Sequence, residues 1–390
     1  MSPRGAASDG PAAADRVVVA DRIVGAGGAD GPGWLALGGG LVVDAGDGPA
    51  PRGPLAELPR EHLRGTVLPG FVDPHVHGAL GVDFGSADEA GARRAADHHH
   101  RAGSTRLVAS VATASTASIV RALGVLAPLV REGVLDGVHL EGPWLSAARR
   151  GAHDPGLLRA PEPAEVDALL EAGEGTVRMV TIAPELTHAD DAIRRLTGAG
   201  VVVALGHSDC TTAQAHAAAD AGATVVTHVF NGMRPMHHRE PGLVGAALTD
   251  DRLAVELILD GRHVSRDAVE IARRASPGRL VLVSDAMAAT GRPDGRYAVA
   301  GSEVVVAGGV AMLADGSSLA GSTGTVGAGV TRLVREHGAS MPEAVRASSA
   351  TAAAALGLSG TALTPGGRAD LVVLDERGGV DRVLRGGRWL

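Results

Sequence analysis

Along the middle of the chain one rhythm recurs: a short run of apolar residues, a polar or glycine-containing turn, then a stretch whose apolar positions return at helical spacing. The runs fall near Thr66–Val72, Arg106–Ser110, Gly137–Leu140, Val177–Ile182, Val201–Leu205, Thr224–His228, Leu253–Leu259 and Leu280–Ser284. Continuous rather than alternating apolar runs belong to strands covered on both faces, as in a parallel sheet. Helical spacing occupies Asp88–Ala102, Thr116–Glu132, Glu162–Glu171, Ala189–Gly198, Thr211–Ala221 and Arg266–Ala275, among other segments. Eight strand-then-helix units predict an α/β fold of the (β/α)8 TIM-barrel type.

Both ends break the rhythm. RVVVADRIVG, LALGGGLVVD, ADLVVLDERG and DRVLRGGRWL are short Val/Leu strands interrupted by Gly and Asp. They predict antiparallel strands in one small β-sandwich domain built from both chain ends, residues 16–65 with 362–390, interrupted by a barrel over 66–361. Residues 1–15 lack the apolar stretch of a signal peptide and read as a disordered lead. The Gly-rich Tyr297–Met312 reads as a hairpin after the eighth strand.

Composition narrows the function classes. Hydrophobic residues make up 45% of the 390 residues but aromatics only 2%, so the core must be aliphatic. A net charge of −8 argues against a nucleic-acid or anionic-membrane surface. No run of about 20 apolar residues is present, so no membrane span is expected. The single cysteine, Cys210, excludes an intrachain disulfide and suits a cytoplasmic, reducing compartment. All 36 basic residues are Arg; the chain has no Lys.

In a barrel the side chains at the C-terminal strand ends converge on one mouth. Here those positions carry His75 and His77 after the first strand, Glu141 after the third and His207 after the fifth. His228, His263 and Asp285 follow the sixth, seventh and eighth. A lone histidine is more often structural than a ligand, but six placements at one end of consecutive strands are not chance. Imidazole and carboxylate suit Zn²⁺, or Fe²⁺, in a hydrolytic site, and Asp285 is placed to act as general base on a metal-activated water.

PGFVDPHVHG resembles the amidohydrolase superfamily, and the set HLEGPWLSAARRGAHDP, GHSDC, THVFNGM, REPGLVGAAL, DGRHV, VSDAMAATG and LAGS resembles its N-acetylglucosamine-6-phosphate deacetylases. The resemblance covers nearly the whole chain. It implies hydrolysis of N-acetyl-D-glucosamine 6-phosphate to D-glucosamine 6-phosphate and acetate, a metal-bound hydroxide attacking the acetyl carbonyl. Glu141, His207 and His228 would hold the main metal, Asp285 would serve as base and then acid, and His153 would polarise the carbonyl. His263 would contact the sugar, while Asn231, Gly232 and Arg239 would bind the phosphate. In the family that arginine reaches in from a partner, which implies a homodimer.

A carbamylated-lysine bridge between two metals is excluded in a chain without Lys, which leaves Glu141 as the bridging carboxylate. His75 and His77 keep the pair a second ion requires, so a site for two divalent ions is expected, the second bound more weakly. His98, His99 and His100 point about 100° apart on a helix and read as a solvated face. Cys210 reads as a packed small hydrophobe, Met233 and Met236 as pocket lining or packing, and Asp73 as a hydrogen-bond partner for an imidazole. His237 and His238 either assist the anion or lie exposed. Ser348–Ala352 departs from the family's Asn-Pro-Ala type signature, at a place that concerns packing. Rival readings are a sister amidohydrolase, an enzyme for N-acetylgalactosamine 6-phosphate, and a non-catalytic scaffold.

Overall fold

Eight parallel strands pair in chain order: Val72–Val76, Arg106–Ala112, Gly137–Glu141, Val177–Ile182, Val202–Leu205, Val225–Val226, Ala254–Ile258 and Leu280–Val283. This is a computed structural model, and it describes residues 13–49, 51–299 and 301–390. The expected disordered lead lies outside those residues except for 13–15. Eighth and first strands meet through Asp285 N–H donating to the His75 carbonyl (2.9 Å) and His77 N–H to that of Ala286 (2.8 Å). Helices Glu89–Arg101, Thr116–Arg131, Pro163–Gly173, Ala189–Gly198, Thr212–Ala221, Gly242–Thr249, Arg266–Ala275 and Val326–Arg335 follow the successive strands, which makes the expected (β/α)8 barrel.

Period-two alternation decides what each strand offers the interior. Val138 and Leu140, or Val255 and Leu257, pack in the large core outside the barrel. Val108, Met179, Ala204, Val225, Ile258 and Val281 share an aliphatic interior cluster with Ala352, Ala353 and Leu356 of the last helical segment. Above that layer the interior turns polar. Ser110 Oγ lies 2.9 Å from His139 Nδ1, His139 Nε2 lies 2.8 Å from Thr181 Oγ1, and Thr181 Oγ1 lies 2.8 Å from Thr227 Oγ1.

The chain ends form a seven-stranded sheet, in the order Arg388–Trp389, Val380–Arg385, Leu371–Leu374, Arg60–Pro69, Arg16–Val24, Asp30–Gly38, Leu41–Asp47. It closes on a core that includes Val18, Leu35, Leu37, Leu63, Leu371 and Leu384. Arg16–Val24 and Arg60–Pro69 pair in parallel, against the expectation of antiparallel strands throughout. The sheet also reaches past the expected limit at residue 65, because the apolar run Thr66–Val72 contains two strands. Thr66–Pro69 pairs with Leu371–Leu374, and the barrel begins at Val72. Only Gly70 marks the turn: a Cβ there would sit 2.0 Å from Thr105 Oγ1.

Two smaller expectations are corrected. His99 and His100 are buried rather than solvated, because their helix turns that face onto the barrel. His99 Nε2 donates to the Gly78 carbonyl (2.9 Å), and burial pushes its imidazole down to about 4. His100 lies between the carbonyls of Ser104 and Val134. Met236 is 57% exposed instead of packed, whereas Cys210 is fully buried as expected and Met233 is buried too. The Gly-rich segment forms three antiparallel strands, Gly295–Val299, Ser302–Ala307 and Val310–Leu313, which pack on Met287, Ala289 and Ala152.

Candidate active site

The strand ends meet in a cavity of about 190 Å³ lined by His77, Glu141, His153, His207, His228, Asn231, Gly232, His263 and Asp285, with Val299, Ser318, Leu319 and Gly321 along the hairpin side. Three of these residues take left-handed backbone just past their strands: His207 at φ +46°, His228 at +26° and Asp285 at +46°. For a residue with a side chain this costs on the order of 1–3 kcal/mol, and it persists only where surrounding structure enforces it. The bends turn the side chains of three separate strands inward to the cavity.

Two triangles of ligand atoms result. Glu141 Oε1, His207 Nε2 and His228 Nε2 are each 3.1 Å from the other two. His75 Nε2, His77 Nε2 and Asp285 Oδ1 are separated by 3.2, 3.3 and 3.5 Å. Ligands about 2.1 Å from a tetrahedral zinc ion lie about 3.4 Å apart, so both triangles have roughly the edge length of a metal site. Glu141 joins them, its Oε2 3.1 Å from His77 Nε2 and its Oε1 3.5 Å from His75 Nε2.

Electrostatics favours a cation there. Glu141 and Asp285 are buried, and no arginine is among the described residues lining the cavity. Burial pushes the His77 imidazole down, but hydrogen bonds and charges from Asp285 and Glu141 outweigh it and hold it up at about 9. Burial likewise works against the charged form of Asp285, yet His75 and His77 hold it well below the usual carboxylate range. The two carboxylates draw positive charge into a buried site, a demand that a divalent ion would meet.

Hydrogen bonds on ring nitrogens select the tautomers of His207, His263 and His153, whereas Nδ1 of His77 and of His228 has no partner among the described residues. His207 Nδ1 donates to the Arg149 carbonyl (2.9 Å), which leaves Nε2 free as a ligand. The loop carrying Arg149 is tied down by Asp209, which meets Arg149 at 2.7 Å and Arg234 at 2.9 Å; those hydrogen bonds hold its carboxyl at about 2. His263 Nδ1 donates to Asp260 (2.8 Å). His153 is opposite: Thr113 N–H donates to its Nδ1 (3.4 Å), so the proton sits on Nε2, 3.4 Å from Glu141 Oε2. His153 is thereby set up as a hydrogen-bond donor rather than as a ligand.

Gly232 is required here. Its φ is +60°, and a Cβ would lie 2.7 Å from His207 Nδ1 and 3.2 Å from the Arg149 carbonyl. Gly232→Ala is expected to tilt the His207 ring and weaken metal binding about 10- to 100-fold, read by competition with a chelating dye. Unchanged affinity would remove the steric argument.

The model of the Amidohydrolase family matches residues 66–390. The chain belongs to that family. This amidohydrolase is 43% identical over 317 residues to an Escherichia coli O157:H7 protein named N-acetylgalactosamine-6-phosphate deacetylase, covering 80% of this chain and 84% of that one. It is 40% identical to the human N-acetylglucosamine-6-phosphate deacetylase, over 81% of each chain. A solved Mycobacterium smegmatis N-acetyl-D-glucosamine-6-phosphate deacetylase, in complex with N-acetyl-D-glucosamine-6-phosphate, superposes with a TM-score of 0.93 at 44% identity, over 97% of this chain and 99% of that one. The Thermotoga maritima N-acetylglucosamine-6-phosphate deacetylase gives 0.87 at 31% identity, over 96% and 99%.

In the amidohydrolase the cavity gathers every expected site residue except two. His75 is buried directly beneath it, within reach of His77, Glu141 and Asp285. Arg239 does not reach the cavity; it lies exposed on the loop with His237 and His238, its Nη1 2.9 Å from His238 Nε2. Asp73 acts at the backbone: its Oδ1 accepts from His75 N–H (3.4 Å) and Ser284 N–H (3.2 Å). The Asn231 amide is spent on the carbonyls of His228 and Val229, so it shapes its loop. Sequence reasoning missed Glu256, His139 and Thr113. Glu256 alone carried a signal, a charge inside the apolar run Leu253–Leu259.

Proposed function

We propose that this amidohydrolase removes the acetyl group from N-acetyl-D-glucosamine 6-phosphate, releasing acetate and D-glucosamine 6-phosphate. The observation that carries the reading is the convergence of the Glu141–His207–His228 triangle, Asp285 and the His153 donor in one buried cavity. A divalent metal, zinc by its ligand chemistry with Fe²⁺ as the alternative, supplies a Lewis acid that makes water nucleophilic at neutral pH. Asp285 takes the proton from the attacking water and hands it to the departing amine. His153 Nε2–H donates to the acyl oxygen as negative charge develops on it. His263, its Nδ1 occupied by Asp260, directs Nε2 to a sugar hydroxyl. Both ligand triangles hold ions in this reading, the His75–His77–Asp285 ion the weaker.

The substrate phosphate needs a cation that the described cavity lining lacks. The loop at Asn231 and Gly232 forms that end of the site, and Arg239 of the partner subunit completes it, which makes the working form a homodimer. One fully buried cysteine, and no helix among the described residues long and apolar enough to cross a membrane, are compatible with a cytoplasmic enzyme. The similarity to the Escherichia coli protein supports a second reading, in which the sugar is the C4 epimer, N-acetylgalactosamine 6-phosphate.

Acetate release from both phosphorylated sugars and from unphosphorylated N-acetylglucosamine tests this. Turnover of the glucosamine phosphate with little from the free sugar is expected, and equal rates on both would sink phosphate recognition. Arg239→Ala should raise KM for the phosphorylated sugar about tenfold or more, at unchanged metal content, as expected for a lost charged hydrogen bond.

A further inference from the structure

Glu256 is 1% exposed, yet it sits in the middle of a barrel strand whose other described members are Ala254, Val255, Leu257 and Ile258. By alternation its side chain shares the interior face with Ala254 and Ile258, under the floor of the cavity. One of its oxygens serves two elements at once. Oε2 lies 3.3 Å from His75 Nδ1 and accepts from the backbone N–H of His228 at 3.4 Å. The Glu256 carbonyl accepts from the next amide, Val229 N–H, at 2.8 Å. Glu256 therefore grips both sides of the bend where His228 takes φ +26°. Its other oxygen, Oε1, has no hydrogen-bond partner among the described residues. A buried carboxylate with an unmatched oxygen weakens a fold, so its presence calls for a reason other than stability.

We infer that Glu256 is the positioning residue that creates the weaker ion site, by fixing His75 with its proton on Nδ1 and its Nε2 turned to His77 and Asp285. Without an acceptor under Nδ1 the ring is free to carry its proton on either nitrogen, and the Nε2–H form cannot bind a metal. No other described side chain meets His75 Nδ1: Asp73 touches His75 at its backbone N–H instead, and His139 stacks edge-on at 4.6 Å. The His207 tautomer has its own support in the Arg149 carbonyl, so the Glu141–His207–His228 site depends on Glu256 only through the His228 backbone, which the Val229 hydrogen bond also holds. The effect of losing the carboxylate is thus selective for one ion. This inference rests on the reading that both triangles hold ions.

The test is a Co²⁺ and Zn²⁺ titration of metal-stripped protein by calorimetry and visible absorption, with wild type, Glu256→Gln and Glu256→Leu compared and folding checked by circular dichroism. Wild type should bind two ions per subunit. Glu256→Leu should bind the weaker ion about 10- to 100-fold less tightly while the tighter one changes little. Glu256→Gln, whose amide oxygen still accepts from Nδ1–H, should lie close to wild type, and Glu256→Met, which also lacks the acceptor, takes the place of the Leu variant if that one folds poorly. Two ions at unchanged affinities in both variants would overturn the role of Glu256, as would equal weakening at both sites. A wild type that stays at one ion in excess metal would instead overturn the two-ion reading and the inference with it.

Discussion

Asp285→Asn should lower kcat by about 10²- to 10⁴-fold, the range a general acid–base residue contributes. The amide is nearly isosteric but cannot accept a proton from water or deliver one to the amine. The substitution should leave the fold intact, because asparagine tolerates the left-handed region, φ +46°, better than most residues. The tighter ion should also stay, since Glu141, His207 and His228 meet at 3.1 Å without help from Asp285. Acetate release, metal content and melting temperature together read this pattern. Activity within tenfold of wild type would remove Asp285 from proton transfer.

Glu141→Gln should be more damaging still, and in a different way. The carboxylate stands within 3.5 Å of ring nitrogens from His75, His77, His153, His207 and His228 and joins the two triangles of candidate ligands. Replacing it with a neutral amide should strip both ions on dialysis and cost several kcal/mol of transition-state stabilisation, roughly 10³-fold or more in rate. Stability supplies an independent readout. A ligand at a thousand times its Kd stabilises a fold by about 4 kcal/mol, so a chelator should lower the melting temperature of wild type but leave that of Glu141→Gln nearly unmoved. A variant that retains stoichiometric metal after dialysis would show that the histidines suffice.

The barrel was legible because its strands are buried on both faces and its helices carry the helical period. Val177–Ile182, Ala189–Gly198 and Arg266–Ala275 sit where the pattern puts them, to the residue. The same continuity hid the boundary inside Thr66–Val72, where strands of two sheets are equally apolar. His99 and His100 misled because composition says nothing of which helix face meets the barrel. At the site, the candidate ligands are visible as polar side chains at strand ends, whereas residues that orient them are not. Thr113 acts through its backbone N–H and Arg149 through its carbonyl, groups every residue owns. Glu256 was visible as a charge in an apolar strand, but its partner His75 lies 181 residues away.

The left-handed bends at His207, His228 and Asp285 set a conflict between durability and catalysis. At each bend glycine is the residue the backbone itself prefers. A redesign scored on backbone strain alone would write glycine at all three and erase the centre it was meant to preserve. In descendants of this chain released from selection for activity, these bends should be among the first positions to drift to glycine, and their spelling in a related sequence becomes a simple mark of whether its barrel still turns over substrate.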